Sequence, residues 1–136
     1  MNDRFYGYTE EQWDAMRAQG LAYLEELARD RRDTDYSTFC AEVRRRAGVA
    51  PEPHDHALPH LLGAIGTRSY EDRQVIITAL IHDKGGNEPG PGFYELAEQL
   101  RALNREQNPW IARELREVFW VRHVGECHEA YARKRP

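Results

Sequence analysis

Apolar and polar positions along the first quarter of the chain follow a helical period. In "YTEEQWDAMRAQGLAYLEELARDRR", Trp13, Met16, Gly20, Tyr23, Leu24, Leu27 and Ala28 recur at spacings of three and four, forming one stripe of an amphipathic helix. Thr9 followed by Gln12 is a capping-box pair, each side chain satisfying a backbone N–H of the other, so a helix is expected over residues 9–31. "DTD" breaks the period. "YSTFCAEVRRRAG" resumes it as a shorter helix, with Ser37 or Thr38 as cap and Gly48 as a left-handed stop. The prolines of "VAPEPHDHALP" cannot continue a helix and mark a connector. Leu58, Leu61, Leu62 and Ile65 then form a third stripe, with Pro59 tolerated in the first turn and a further short helical stretch near "SYEDR".

The pattern changes at "VIITALI", β-branched and almost continuously apolar, which predicts a strand covered on both sides. "DKGGNEPGPG" supplies glycines for positive φ and prolines that block ladder pairing, so a turn or exposed wing follows. "FYELAEQLRAL" returns to helical spacing. Asn108 caps and Pro109 opens a long helix over 108–133, with Ile111, Leu115, Val118 and Phe119 on one face and Trp120, Val124, Cys127 and Tyr131 on the next. The expected fold is mainly α, of the α+β kind: one domain over 1–136, a winged-helix-like core over 36–95 with a small β element, and a long C-terminal helix.

Composition narrows the partners. The chain has 136 residues and no apolar run near the roughly 20 residues that a membrane span needs, so no membrane partner is expected. "MNDRFYGYTEEQW" does not read as a secretory signal, and the expected location is the cytoplasm. Cys40 and Cys127 are expected to be reduced and buried. A net charge of −4 disfavours nonspecific coating of nucleic acid, although the last 36 residues carry 8 Lys/Arg against 5 Asp/Glu.

The helix from Tyr36 to Gly48, the connector, the helix from Leu58, the strand and the Gly-rich loop follow the order of a winged helix-turn-helix. That order places Arg44, Arg45, Arg46, His56, His60, Arg68 and Lys84 to contact phosphates or base edges of duplex DNA. The bland reading makes the arginines a solvated face and the histidines loop residues. Trp110, Phe119, Trp120 and Tyr131 exceed what one stripe requires, so Trp110, Trp120 and Tyr131 are candidates for a homodimer or protein-partner surface, or else close the core.

Catalytic and metal motifs fare worse. His54, His56 and His60 cluster, but no Cys-x2-Cys pair accompanies them, and no metal or cofactor is expected. "CHEAYA" lacks the second histidine of a zincin helix, since Ala132 stands there. Asp83 and Lys84, adjacent on a strand, point to opposite faces and do not share a nuclease centre easily. "GGNEPGPG" has prolines where a phosphate cradle needs N–H donors.

"YSTFCAEVRRRAG", "LPHLLGAI" and "VIITALIHDKGGNEPGPGF" resemble, in order, the winged-helix part of alkyltransferase-like DNA-repair proteins, over about residues 36 to 95. "ITALIHDKGGNEPGPGF" also resembles a group of uncharacterised bacterial and phage proteins with an "LTALV…K…G.PG.GF" pattern. The alkyltransferases carry a Pro-Cys-His-Arg motif with the methyl-accepting thiol. Here the comparable stretch is Leu80, Ile81, His82 and Asp83, so the resemblance implies DNA binding without alkyl transfer. The expected function is a non-enzymatic DNA-binding accessory or regulatory protein. The alternative is a protein-interaction module, as in a phage or host-defence assembly, that binds no nucleic acid.

Overall fold

The structure, a computed structural model, describes residues 4–85, 88–100 and 113–132. It is mainly helical. The described helices are α1 (Glu10–Arg29), α2 (Tyr36–Ala47), α3 (Ala57–Arg73), α4 (Pro91–Gln99) and α5 (Arg113–Ala132), joined by two-residue strands β1 (Thr34–Asp35) and β2 (Ile81–His82). No helix among the described residues is long and apolar enough to cross a membrane.

The capping box forms as expected: the Thr9 hydroxyl accepts the Gln12 N–H at 3.1 Å and the Gln12 side chain accepts the Thr9 N–H at 2.9 Å. Trp13, Met16, Gly20, Leu24, Leu27 and Ala28 then bury one stripe of α1. At Gly20 a Cβ would stand 2.8 Å from Ile65 Cδ1 and 3.1 Å from Phe39 Cζ, so the missing side chain lets α2 and α3 close onto α1. Gly48 ends α2 with φ +83° as expected, but neither Ser37 nor Thr38 is its cap. Asp35 takes that place, its carboxylate accepting the Thr38 N–H at 2.7 Å. The helical stretch near "SYEDR" is no separate element, because α3 runs through it to Arg73. Residues 108–112, where the last helix was expected to begin, lie outside the described residues.

The largest correction concerns "VIITALI". Ile77–Leu80 is a 3-10 turn, and only Ile81 and His82 are extended. They pair in parallel with Thr34 and Asp35, upstream of α2, so the ladder gives β2 no hairpin partner from the expected wing. The segment from Val75 to Ile81 is nonetheless buried throughout. Buried backbone groups need partners, and here helical side chains supply them in place of a neighbouring strand. Ser69 Oγ accepts the Ile77 N–H at 2.9 Å and His123 Nε2 accepts the Ile76 N–H at 2.8 Å. The Trp120 indole N–H donates to the Ala79 carbonyl at 2.8 Å, and the Cys127 thiol to the Ile76 carbonyl at 3.4 Å.

Candidate functional site

The seven residues expected to face DNA do not stand free on one surface. Arg44 donates to Glu52 at 3.0 Å and to the Ala50 carbonyl at 3.1 Å, tying the end of α2 to the connector. Arg45 pairs with Glu42 at 2.7 Å through Nε. Arg46 reaches Glu26 of α1 at 2.7 and 2.8 Å and Glu42 at 3.2 Å, and its guanidinium lies 5.1 Å over the Tyr23 ring. These contacts hold the Glu26 and Glu42 carboxyls below the usual carboxylate range, through hydrogen bonds from Arg46 and Arg45 respectively. Arg68 pairs along its own helix with Asp72 at 2.9 Å. His60 is packed by Phe5 and Trp13, with ring centroids 4.6 and 5.1 Å away. Lys84 is exposed in the turn after β2, and His56 lines a cleft described below.

Trp120 and Tyr131 are not the exposed aromatic surface that their surplus suggested. Trp120 is buried, its indole N–H donating to the Ala79 carbonyl, and Tyr131 is buried with the Arg73 guanidinium over its ring at 4.9 Å. Trp110 lies outside the described residues. The described residues bring no three His, Cys, Asp or Glu side chains together in a way that could hold a metal ion, so His54, His56 and His60 do not converge. Both cysteines are buried free thiols, and burial pushes that of Cys40 up to about 11.

What the chain does build is a cleft between the connector, the first turns of α3 and the start of α4, with a volume of about 370 Å³. Leu58, Leu62, Phe93 and Leu96 give its walls an apolar character, while Tyr36, His54, His56, Thr78 and Asp83 bring polar groups to it. Its shape follows from local sequence. Asp55 accepts the Ala57 N–H at 3.1 Å and so starts α3 from the proline-bound connector. Gly90 and Pro91 open α4 with no side-chain cap. The Gly90 N–H donates to the Tyr36 hydroxyl at 2.6 Å, and a Cβ at Gly90 would sit 3.0 Å from that oxygen, so glycine lets the loop lie against α2. Burial raises the Tyr36 phenol above its ordinary pKa and keeps it a neutral acceptor.

Behind the cleft, Gly66 brings α3 close to three neighbours. A Cβ there would stand 2.6 Å from Leu96 Cδ2, 3.1 Å from Ile76 Cγ2 and 3.3 Å from Thr78 Oγ1. Leu96 and Thr78 both line the cleft, so the 3-10 turn and α4 shape it jointly. Tyr36, Leu62, Phe93 and Leu96 were missed as site residues. The signal that pointed toward them is "PGPGF", whose glycines and proline start α4 where Tyr36 can hold it.

No protein-family model matches the sequence, and no significant match to a curated protein or a solved structure is found.

Proposed function

We propose that the protein is a non-enzymatic interaction module whose α3–α4 cleft seats an apolar anchor group presented by a partner protein. The observation that carries this reading is the cleft itself. Its volume of about 370 Å³ falls in the range of roughly 300–1,000 Å³ in which binding pockets are found, and it joins apolar walls to a few convergent polar groups. Partner interfaces draw most of their binding energy from a few large side chains seated in such pockets. The expectation of DNA binding draws less support, since Arg44, Arg45, Arg46 and Arg68 already hold carboxylates that phosphate would have to displace.

A random-peptide display library panned on the purified protein tests the reading. Enriched peptides should share one large apolar residue, and their binding should fall at least tenfold in Leu62→Lys, whose folding is checked by its thermal melt. Leu62 is only half-buried, so the substitution spares the core. Peptides indifferent to Leu62→Lys would refute the cleft as the docking site. Labelled duplex DNA titrated at two salt concentrations forms the opposing arm. Saturable, salt-weakened binding that is lost on charge reversal of Arg45 and Arg46 would replace the interaction reading with the DNA one.

A further inference from the structure

Both backbone polar groups of one buried residue, Ile76, are held by side chains of α5. His123 Nε2 accepts its N–H at 2.8 Å and the Cys127 thiol donates to its carbonyl at 3.4 Å. The two side chains stand four residues apart, one helical turn, and so share a face. An N–H aimed at Nε2 fixes the state of the ring: Nε2 must present a lone pair, which leaves the hydrogen of the neutral imidazole on Nδ1, 3.2 Å from Glu126 Oε1. Phe119 stacks on the ring with centroids 5.4 Å apart, and Phe93 of α4 lies 5.9 Å away. Glu126, on α5 itself, is the charged group that acts on the imidazole. Further out, Tyr94 of α4 meets Phe93 and His82 of β2 meets Trp120. Burial holds His123 below its ordinary pKa, with Glu126 working in the other direction.

We propose that His123 is an acid-sensitive latch on the α3–α4 cleft. A proton taken from solvent onto Nε2 replaces the lone pair with a second N–H. Two donors then face each other across the Ile76 contact, and the Ile76 amide loses its acceptor inside the core. The 3-10 turn carrying Thr78, which lines the cleft, loses one of the three side-chain bonds that set it against α5, at the ring that also meets Phe93 of the cleft wall. Acid therefore loosens the cleft. The consequence for binding rests on the interaction reading above, whereas the latch chemistry does not.

The test uses the full chain labelled for NMR. Exchange protection of the Ile76 amide, corrected for intrinsic rates, should fall at least tenfold from pH 7 to pH 5. Over the same interval the Leu62 and Leu96 methyl signals should shift. In His123→Gln, whose side-chain oxygen still accepts the amide but does not titrate, the protection should stay constant and the methyl shifts should shrink to whatever His54 and His56 of the cleft impose. Unchanged protection in the wild-type chain, or an equal loss in the Gln variant, overturns the latch. Lost protection with static leucine methyls overturns its coupling to the cleft. Neither readout uses the displayed peptides, so a failed peptide selection leaves both intact. Should His123→Gln not fold, Glu126→Gln serves, because it removes an exposed carboxylate that favours the imidazolium. Its transition should move to lower pH, and an unmoved transition overturns the proposal.

Discussion

Replacing Ser69 with alanine isolates the dependence of the 75–81 segment on a side chain. Ser69 is 1% exposed, and its hydroxyl donates to the Gly66 carbonyl at 2.9 Å while accepting the Ile77 N–H at the same distance. Alanine removes one oxygen and leaves a cavity too small to dominate the effect. The Gly66 carbonyl keeps its place in the helical ladder of α3, but the Ile77 N–H is left buried without its acceptor. Such an orphaned group costs about 1–3 kcal/mol. Alanine returns about 0.5 kcal/mol through its higher helix propensity. The net loss is then about 0.5–2.5 kcal/mol. With a urea m-value of about 1.5–2 kcal/mol/M for a chain of this size, the midpoint should drop by roughly 0.3–1.7 M at unchanged slope. Urea unfolding followed by circular dichroism measures it directly. A midpoint that stays put or rises would mean that the Ile77 amide finds another acceptor, and would refute the account of the segment as held by side chains.

Other substitutions and conditions probe the same construction. Trp120→Phe keeps an aromatic ring but deprives the Ala79 carbonyl of its indole donor, and should cost about 1–3 kcal/mol in the same urea assay. Gly125→Ala should instead stabilise by about 0.5–1 kcal/mol, because a Cβ there meets nothing within 4 Å on an exposed helical face. Stability should also depend on pH through His123. The unfolded imidazole takes a proton near pH 6.5 and the folded one only at lower pH, so the native state binds fewer protons. Stability present above about pH 6.5 is then lost as pH falls toward the folded value. Urea midpoints at pH 7.5, 6 and 5 should decline in the wild-type chain and decline less in His123→Gln. With its thiol pushed up to about 11, Cys40 should resist iodoacetamide at pH 8 in the native protein and react at least a hundredfold faster in urea, read by mass spectrometry.

Local signals carried α1 and the end of α2 from sequence into structure. The Thr9–Gln12 box and the stripe from Trp13 to Ala28 act within one helix, and Gly48 acts at one residue, so neither needs knowledge of distant partners. The cap of α2 falls on Asp35 because Asp and Ser serve about equally well at that position, Thr somewhat less, and the chain offers all of them within four residues. The basic run was legible as charge but not as pairing. Glu42 stands three and four residues before Arg45 and Arg46, a helical spacing visible in sequence, whereas Glu26, which takes two bonds from Arg46, is twenty residues away on α1. The same limit applied to Trp120, whose indole N–H finds its acceptor at a carbonyl forty-one residues upstream.

"VIITALI" shows why an apolar run does not by itself choose between strand and turn. Periodicity reports only that both sides of the segment are covered; it is silent on where the backbone donors and acceptors go. A strand would send them to neighbouring strands, whose amides do not titrate in the physiological range. Here Ser69, Trp120, His123 and Cys127 take them instead, from positions 8, 41, 47 and 51 residues away. The arrangement adds these side chains to the turn's own backbone bonds, such as Ala79 N–H to the Ile76 carbonyl at 3.0 Å, and so places part of the stability in a few polar contacts inside an apolar core. It also makes one backbone bond depend on the protonation of an imidazole, a sensitivity that no sheet ladder could supply. Since the turn held by that bond also lines the cleft, the feature that hid the segment from sequence reading is the one through which the proposed latch would carry pH to the cleft.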